Sequence, residues 1–225
     1  KILVVSNHAK TVYEQTIVPA QDQNGKKIKY GIRTPIEVVW ETTPRADPEA
    51  VEGLDLDYDF NFLMISQISP RKNFKKAIRW WVEEFIDQEV GLILKTNTVG
   101  NSILDKKITQ AHLKKILRGY PERKCKVYLL HGDLSEGQMC YMYTQDKIKA
   151  LINLAHGEGF GLPMFEAARE GLPIITIGWS GQLDFLRHNN KDYYQKVKFS
   201  LGPVQKKAHW EGVIQPDSMW AFADA

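Results

Sequence analysis

The sequence predicts an α/β protein built on a doubly wound parallel sheet. Five apolar runs of strand length recur at residues 62–65, 90–94, 127–130, 150–155 and 174–177. Segments with helical period lie between them. The runs are apolar throughout rather than alternating, as strands buried on both faces are. Strands covered on both sides and joined by helices form a parallel sheet, and ligands of such sheets lie beyond the carboxyl ends of the strands, in the loops that enter helices.

Taken in order, residues 2–6 read as a strand, 10–18 as a short helix and 36–40 as a further strand, with the polar segment 22–27 as a turn. Segment 42–59 is rich in acidic residues, contains Pro44 and Pro48, and shows neither period, which marks a linker. The chain therefore divides into a remnant of a preceding domain (1–44), a linker (45–60), the regular α/β domain (61–190) and a C-terminal tail (191–225). Within the regular domain, a helix sets Phe74, Ala77, Ile78, Trp81, Val82, Phe85 and Ile86 on a single face, with Asn73 as its cap. A second runs from about 107 to 118 and ends at Gly119, and a third follows Asp133 and Ser135. Ser180 is placed to cap a helix containing Leu183, Phe185 and Leu186. In the tail, Trp210 and Trp220 stand among few apolar neighbours, so they are expected to pack on a missing domain. Residues 217–223 read as helix-like, and both ends read as cut from something longer.

At 225 residues with 43% hydrophobic and 25% charged content, the chain can bury a sizeable core, and disordered and fibrous classes are disfavoured. A net charge of +3 is no argument for a nucleic-acid protein. Cys125 and Cys140 lack metal-ligand spacing and read as reduced packing thiols of a cytoplasmic protein. His8, His112, His188 and His209 show no ligand spacing either, so no metal or cofactor is expected. No apolar run approaches the roughly 20 residues of a membrane-spanning helix, which leaves peripheral membrane contact open.

The chemistry concentrates at Glu158-Gly159-Phe160-Gly161-Leu162-Pro163, which follows an apolar run and opens a helix. Glycines let the backbone approach a ligand, and free N–H groups at a helix start attract anions. Glu166 lies eight residues beyond Glu158, inside that helix. Amide donors for phosphate beside carboxylates for hydroxyls suit a sugar nucleotide. The two glutamates also admit a general acid/base pair, as in glycoside hydrolysis, or plain surface charges. A second loop, Ser66-Gln67-Ile68-Ser69-Pro70-Arg71-Lys72-Asn73, carries a basic pair able to neutralise a diphosphate, or else is a solvated turn. His131-Gly132 and His156-Gly157 both end expected strands; their imidazoles are expected to line the crevice without acting as catalysts.

At these residues the chain resembles the retaining glycosyltransferases of family 4, or group 1, with the GT-B fold. The segment from Glu158 to Ala167 looks like that family's E-x7-E motif, while the Ser69–Asn73 turn and Gly171-Leu172-Pro173-Ile174-Ile175 fit the same pattern. The resemblance covers roughly residues 61–186. It implies the Rossmann-like C-terminal, donor-binding domain of a two-domain enzyme that transfers a hexose-type sugar from a nucleoside diphosphate with retention. It further implies that Glu166 binds the nucleotide ribose, that Glu158 lies by the donor sugar, and that the amides around Gly161 and Leu162 meet the diphosphate. Lys72 matches the family's diphosphate-binding lysine. Where the family has an arginine this chain has Gln67, so the leaving-group charge falls to Arg71. The full expected set is Glu158, Lys72 and Arg71 for catalysis, with Glu166, Gly159, Phe160, Gly161, Leu162, Pro163, Gln67, His131 and Gly132 binding the donor. The base and the acceptor (a saccharide, a lipid-linked sugar or a protein) stay open. With the acceptor-side N-terminal domain mostly missing, weak or no turnover is expected of this chain alone. The alternatives are a GT-B nucleotide-sugar epimerase and a non-catalytic nucleotide-sugar-binding module.

Overall fold

A computed structural model describes residues 1–210, 214 and 218–224. Six strands form one parallel sheet: β5 (Asn61–Ile65), β6 (Gly91–Lys95), β7 (Lys126–Leu130), β8 (Ile148–Asn153), β9 (Ile174–Ile177) and β12 (Gln195–Val197). Their order across the sheet is β12-β9-β8-β5-β6-β7, parallel at every pairing. The direction of winding reverses between β5 and β8. Crevices that hold ligands in such sheets open at that reversal.

Each central strand feeds two cores. Phe62, Met64, Leu92, Leu94, Ala150 and Ile152 point to one face, where helices α2 (Phe74–Glu84) and α3 (Ile103–Leu117) pack. Leu63, Ile93 and Leu151 point to the other, covered by α4 (Glu136–Thr144) and α5 (Leu162–Arg169). This is why the five runs read as continuously apolar. Burying each large aliphatic side chain contributes ~1.5–3 kcal/mol.

Local signals account for most helix starts. Ser135 heads α4 with a complete capping box through Gln138. Ser102 caps α3, which therefore begins four residues before the periodic stretch that revealed it. Asn73 stands at the cap position of α2 in a left-handed conformation, φ 53°, but its side chain makes no cap bond. Its amide instead donates to the Leu154 carbonyl, tying the basic turn to the neighbouring loop.

The first 44 residues form β1 (Ile2–Val4), α1 (Asn7–Gln15), the hairpin β2 (Ile17–Gln21) and β3 (Lys27–Gly31), and β4 (Ile36–Val38). The helix expected over 10–18 starts and ends earlier. Ser6 caps it by accepting from Ala9, and residues 17 and 18 join the hairpin instead. The acidic segment that follows lacks regular structure yet is pinned. The Glu49 amide donates to the Gly137 carbonyl, Ser135 Oγ donates to Glu49, and Val51, Leu54 and Leu56 pack on the core.

The tail corrects the sequence reading. It is entered through a short antiparallel pair, β10 (Arg187–His188) and β11 (Lys191–Asp192). Beyond that pair β12 joins the edge of the main sheet, while β13 (Phe199–Pro203) and β14 (Met219–Ala223) form a second antiparallel pair. The helix-like reading of 217–223 thus gives way to a strand over its described part, residue 217 lying outside the described residues. Nor does Trp220 await a missing domain. It is buried with Val204 and Ala208 and stacks on the His156 ring, centroids 4.9 Å apart, while Trp210 is exposed. A tryptophan with few apolar neighbours in sequence finds them across the fold.

Candidate functional site

The two loops singled out in the sequence leave β5 and β8, the strands on either side of the reversal, and they are bonded to each other. The His156 amide donates to the Arg71 carbonyl at 2.8 Å. At their junction Glu158 is buried and accepts from Lys72 Nζ at 2.6 Å and Arg71 Nη1 at 2.9 Å, one cation on each oxygen. Arg71 also donates to the Gly157 carbonyl. Burial pushes the Glu158 carboxyl up, but the Lys72 and Arg71 charges outweigh it, leaving the group below the ordinary glutamate range.

Two residues that the sequence did not assign to the site complete the cluster. Asn153, the polar residue ending an apolar strand, donates to Glu158 Oε1 and accepts from the Ala155 amide. Ser180 does not cap its helix: Gln182 is the cap residue of α6 (Leu183–Leu186), and Ser180 holds φ 93°. Its hydroxyl accepts from the Glu158 amide and donates to the Glu158 carbonyl, clamping the loop from the β9 side. A non-glycine residue held there costs ~1–3 kcal/mol, and such outliers persist where surroundings fix them.

Gly161, φ 93°, is the cap residue of α5, and Pro163 follows in its first turn. Among the described residues no protein acceptor takes the N–H groups of Gly159, Phe160 or Gly161. The backbone is thus free to receive an anion at a helix start. The Phe160 ring is buried against Phe165 and Phe185, so only its main chain serves the loop; Leu162 and Pro163 are half-buried.

Glu166 lies apart from the cation cluster. It accepts from the buried Tyr143 hydroxyl at 2.7 Å, and burial raises its carboxyl despite that bond and the Arg169 charge. Gln67 is exposed and donates to the Thr98 carbonyl, contributing no charge. Both strand-end imidazoles are held by protein partners, and His156 also lines a cavity beside the basic turn. His131 is buried and bonded to Asp105 at 2.8 Å. His156 Nδ1 meets the Ala221 carbonyl beneath Trp220. At the neighbouring Gly132, φ 108°, the carbonyl accepts from Lys95, whose ammonium pKa is lowered by burial. The described residues include no group of three or more His, Cys, Asp or Glu able to hold a metal ion, and both cysteines are buried and unpaired. Among the described residues no helix is long and apolar enough to cross a membrane.

The site's near wall includes the N-terminal segment. Asp184 Oδ2 accepts from the Asn7 amide and side chain and from Trp40 Nε1. The His8 ring meets Trp179 edge-on at 4.8 Å.

No protein-family model matches the chain. Over 118 residues it is 29% identical to the serotype-specific mannosyltransferase WbdA of Escherichia coli, a match covering 51% of this chain and 13% of that protein. The chain thus spans a small part of that relative's length. Among solved structures it is similar to the sucrose-phosphate synthase of Thermosynechococcus elongatus, with TM-score 0.54, 14% identity, and 82% of this chain and 42% of that one covered. It is also similar to a glycosyltransferase of Rickettsia africae ESF-5, with TM-score 0.53, 13% identity, and coverage of 88% and 49%. These findings bear out the expected resemblance: the chain has a Rossmann-like GT-B domain fold and is homologous to a glycosyltransferase.

Proposed function

We propose that this chain is the donor-binding half of a retaining glycosyltransferase, which holds a nucleoside diphosphate sugar while an acceptor sits mainly on a domain outside it. The observation that carries the reading is the junction of Lys72, Arg71 and Glu158 beside the unpaired amides of the glycine loop. A diphosphate entering there exchanges one carboxylate partner of the two cations for another and adds the loop amides as donors. Glu166, displaced from this cluster, suits the ribose hydroxyls, with Tyr143 fixing its orientation.

In the proposed transfer the bond from the anomeric carbon to the β-phosphate oxygen breaks, and the acceptor oxygen bonds to the same face of that carbon. The acceptor's proton passes to the departing phosphate. Lys72, Arg71 and the amides stabilise the charge on that phosphate, so no side-chain nucleophile is needed. Arg71 takes the part that neutral Gln67 cannot. A hexose is the expected sugar, and a mannosyl donor is the first to try because the similar Escherichia coli protein is a mannosyltransferase. The acceptor is then to be sought among saccharides, lipid-linked sugars and proteins, and residues 1–44 are taken as the edge of the acceptor-side domain.

An epimerase needs acid/base groups in the crevice, but the imidazoles nearest to it are committed to Asp105 and Ala221. A thermal-shift panel of UDP, GDP, ADP and their sugars tests the reading. One nucleotide is expected to raise the unfolding temperature of the wild type and much less that of Glu166→Ala and Lys72→Ala. No shift by any nucleotide, or equal shifts in the variants, overturns it.

A further inference from the structure

On the far side of the basic turn a second cavity, of about 650 Å³, opens between α2, α3 and the tail. Lys75, Lys76 and Arg79 line it from α2, His112 and Lys115 from α3, and Lys207 from the single helical turn Lys206–Ala208. Its apolar lining is Ile68, Pro70, Phe74, Ile116 and Trp220; Ser69 and Asn73 of the basic turn and His156 also face it, and no aspartate or glutamate is among its described lining residues. None of its five Lys and Arg residues forms an ion pair among the described residues.

Five permanent cations around one hollow are a concentration, given a net charge of only +3 for the whole chain. A solvated helix face ordinarily interleaves both signs, whereas here three separate elements bring one sign to a shared space, and like charges so placed repel. The field is felt nearby. Burial lowers the His156 imidazole, and the Lys76 charge lowers it further. The spacing explains the convergence, since residues 75, 76 and 79 share one side of α2 while 112 and 115 are adjacent on α3.

We propose that this cavity, which shares the basic turn as a wall but is lined by none of Arg71, Lys72, Glu158 and Glu166, is a second anion site, which takes a phosphate ester whose carbon portion lies against Phe74, Ile116 and Trp220. Lysine ammoniums are point charges that accept a phosphate in many orientations, and Arg79 adds a planar fork. The ester comes either from a soluble phosphorylated saccharide or from a phospholipid headgroup, and both share this chemistry.

Binding of two probes at low and high salt separates these sources. They are glucose 6-phosphate, and phosphatidylcholine vesicles with and without phosphatidylglycerol. Wild type is expected to bind the sugar phosphate, or the anionic but not the neutral vesicles, and to lose that binding as salt rises. The triple variant Lys76→Gln, Lys115→Gln, Lys207→Gln should bind roughly tenfold more weakly, through loss of charge-assisted contacts. A control carrying Lys106→Gln, Lys114→Gln and Lys149→Gln has the same net charge and should bind as wild type, since these exposed lysines do not line the cavity. Binding of neither probe by wild type, equal binding to neutral vesicles, or an equal loss in the control overturns the proposal. The nucleotide panel is a separate measurement, so its failure leaves this outcome legible.

Discussion

The Lys72 ammonium lies 2.6 Å from Glu158 Oε1, joining residues 86 positions apart across the reversal in the sheet. With Arg71 on the other oxygen, one buried carboxylate restrains both cations of the basic turn. On the proposed reading, a diphosphate competes with this contact for the two cations.

Glu158→Gln tests that competition. Removing the carboxylate leaves two neighbouring cations without their partner, and breaking a buried pair costs ~3–5 kcal/mol, with the lower end expected here because Arg71 keeps contact with solvent. Urea unfolding should shift to lower concentration. Pyrophosphate should then restore more stability to the variant than to wild type, since the freed cations need an anion. Equal stabilisation of the two proteins would show that Glu158 and the diphosphate do not compete.

Tyr143→Phe addresses Glu166 without touching a ligand. The hydroxyl donates at 2.7 Å to a half-buried carboxylate, and a bond to a charged group contributes ~1.5–3 kcal/mol. Loss of that donor should destabilise the fold and push the already raised Glu166 carboxyl higher. Nucleotide affinity, measured by titration across pH 5–8, should therefore begin to fall at higher pH in the variant than in wild type. A profile that only scales down, with no displacement, contradicts a positioning role for Tyr143.

Acid stability should report on Asp105. The His131 bond, with the Thr98 and Val99 amides, lowers its carboxyl to about 2. Because the folded value lies below the unfolded one, the stabilisation is complete above the ordinary aspartate range near ~3.9 and is lost as pH falls toward the folded value. In Asp105→Asn the unfolding free energy should be lower at neutral pH and should vary less between pH 4 and pH 2. Parallel curves for the two proteins would remove Asp105 as a source of the acid limb.

The sheet was legible in the sequence because its strands are buried on both faces, so residues such as Leu63 and Leu92 announce themselves without regard to partner. The glycine loop was legible because its shape is set by the backbone, and backbone conformation is written in Gly161 and Pro163. What escaped were side chains whose role depends on a distant partner. Ser180 looked like a cap because its neighbours form a helix, yet its hydroxyl reaches Glu158, 22 residues back. Asn153 closed an apolar run and could have been noticed on that ground alone, as a polar group placed where only bonding justifies it. The contact between Trp220 and His156 had no local signal, being made by an antiparallel pair far along the chain, whose Ala221 carbonyl meets His156 across 65 residues.

Gly181 gives the sharpest steric test of the loop clamp. A Cβ built there would stand 1.9 Å from the Gly159 carbonyl oxygen and 2.9 Å from Ser6 Oγ, the first a backbone atom that no rotamer change can move. Gly181→Ala must therefore push the Trp179–Gln182 turn off the glycine loop, breaking the Ser180 bonds to Glu158. Forced insertion of this kind costs ~1–3 kcal/mol. Gly100→Ala is the matched control, because nothing lies within 4 Å of the added carbon, and its effect should stay within about 0.5 kcal/mol. Urea unfolding separates the two, and nucleotide titration of the folded Gly181→Ala protein should show weakened binding, because the displaced amides of Gly159 to Gly161 no longer converge. Wild-type affinity in that variant would mean that the loop holds its shape without the clamp, and would place the anion elsewhere along the sheet.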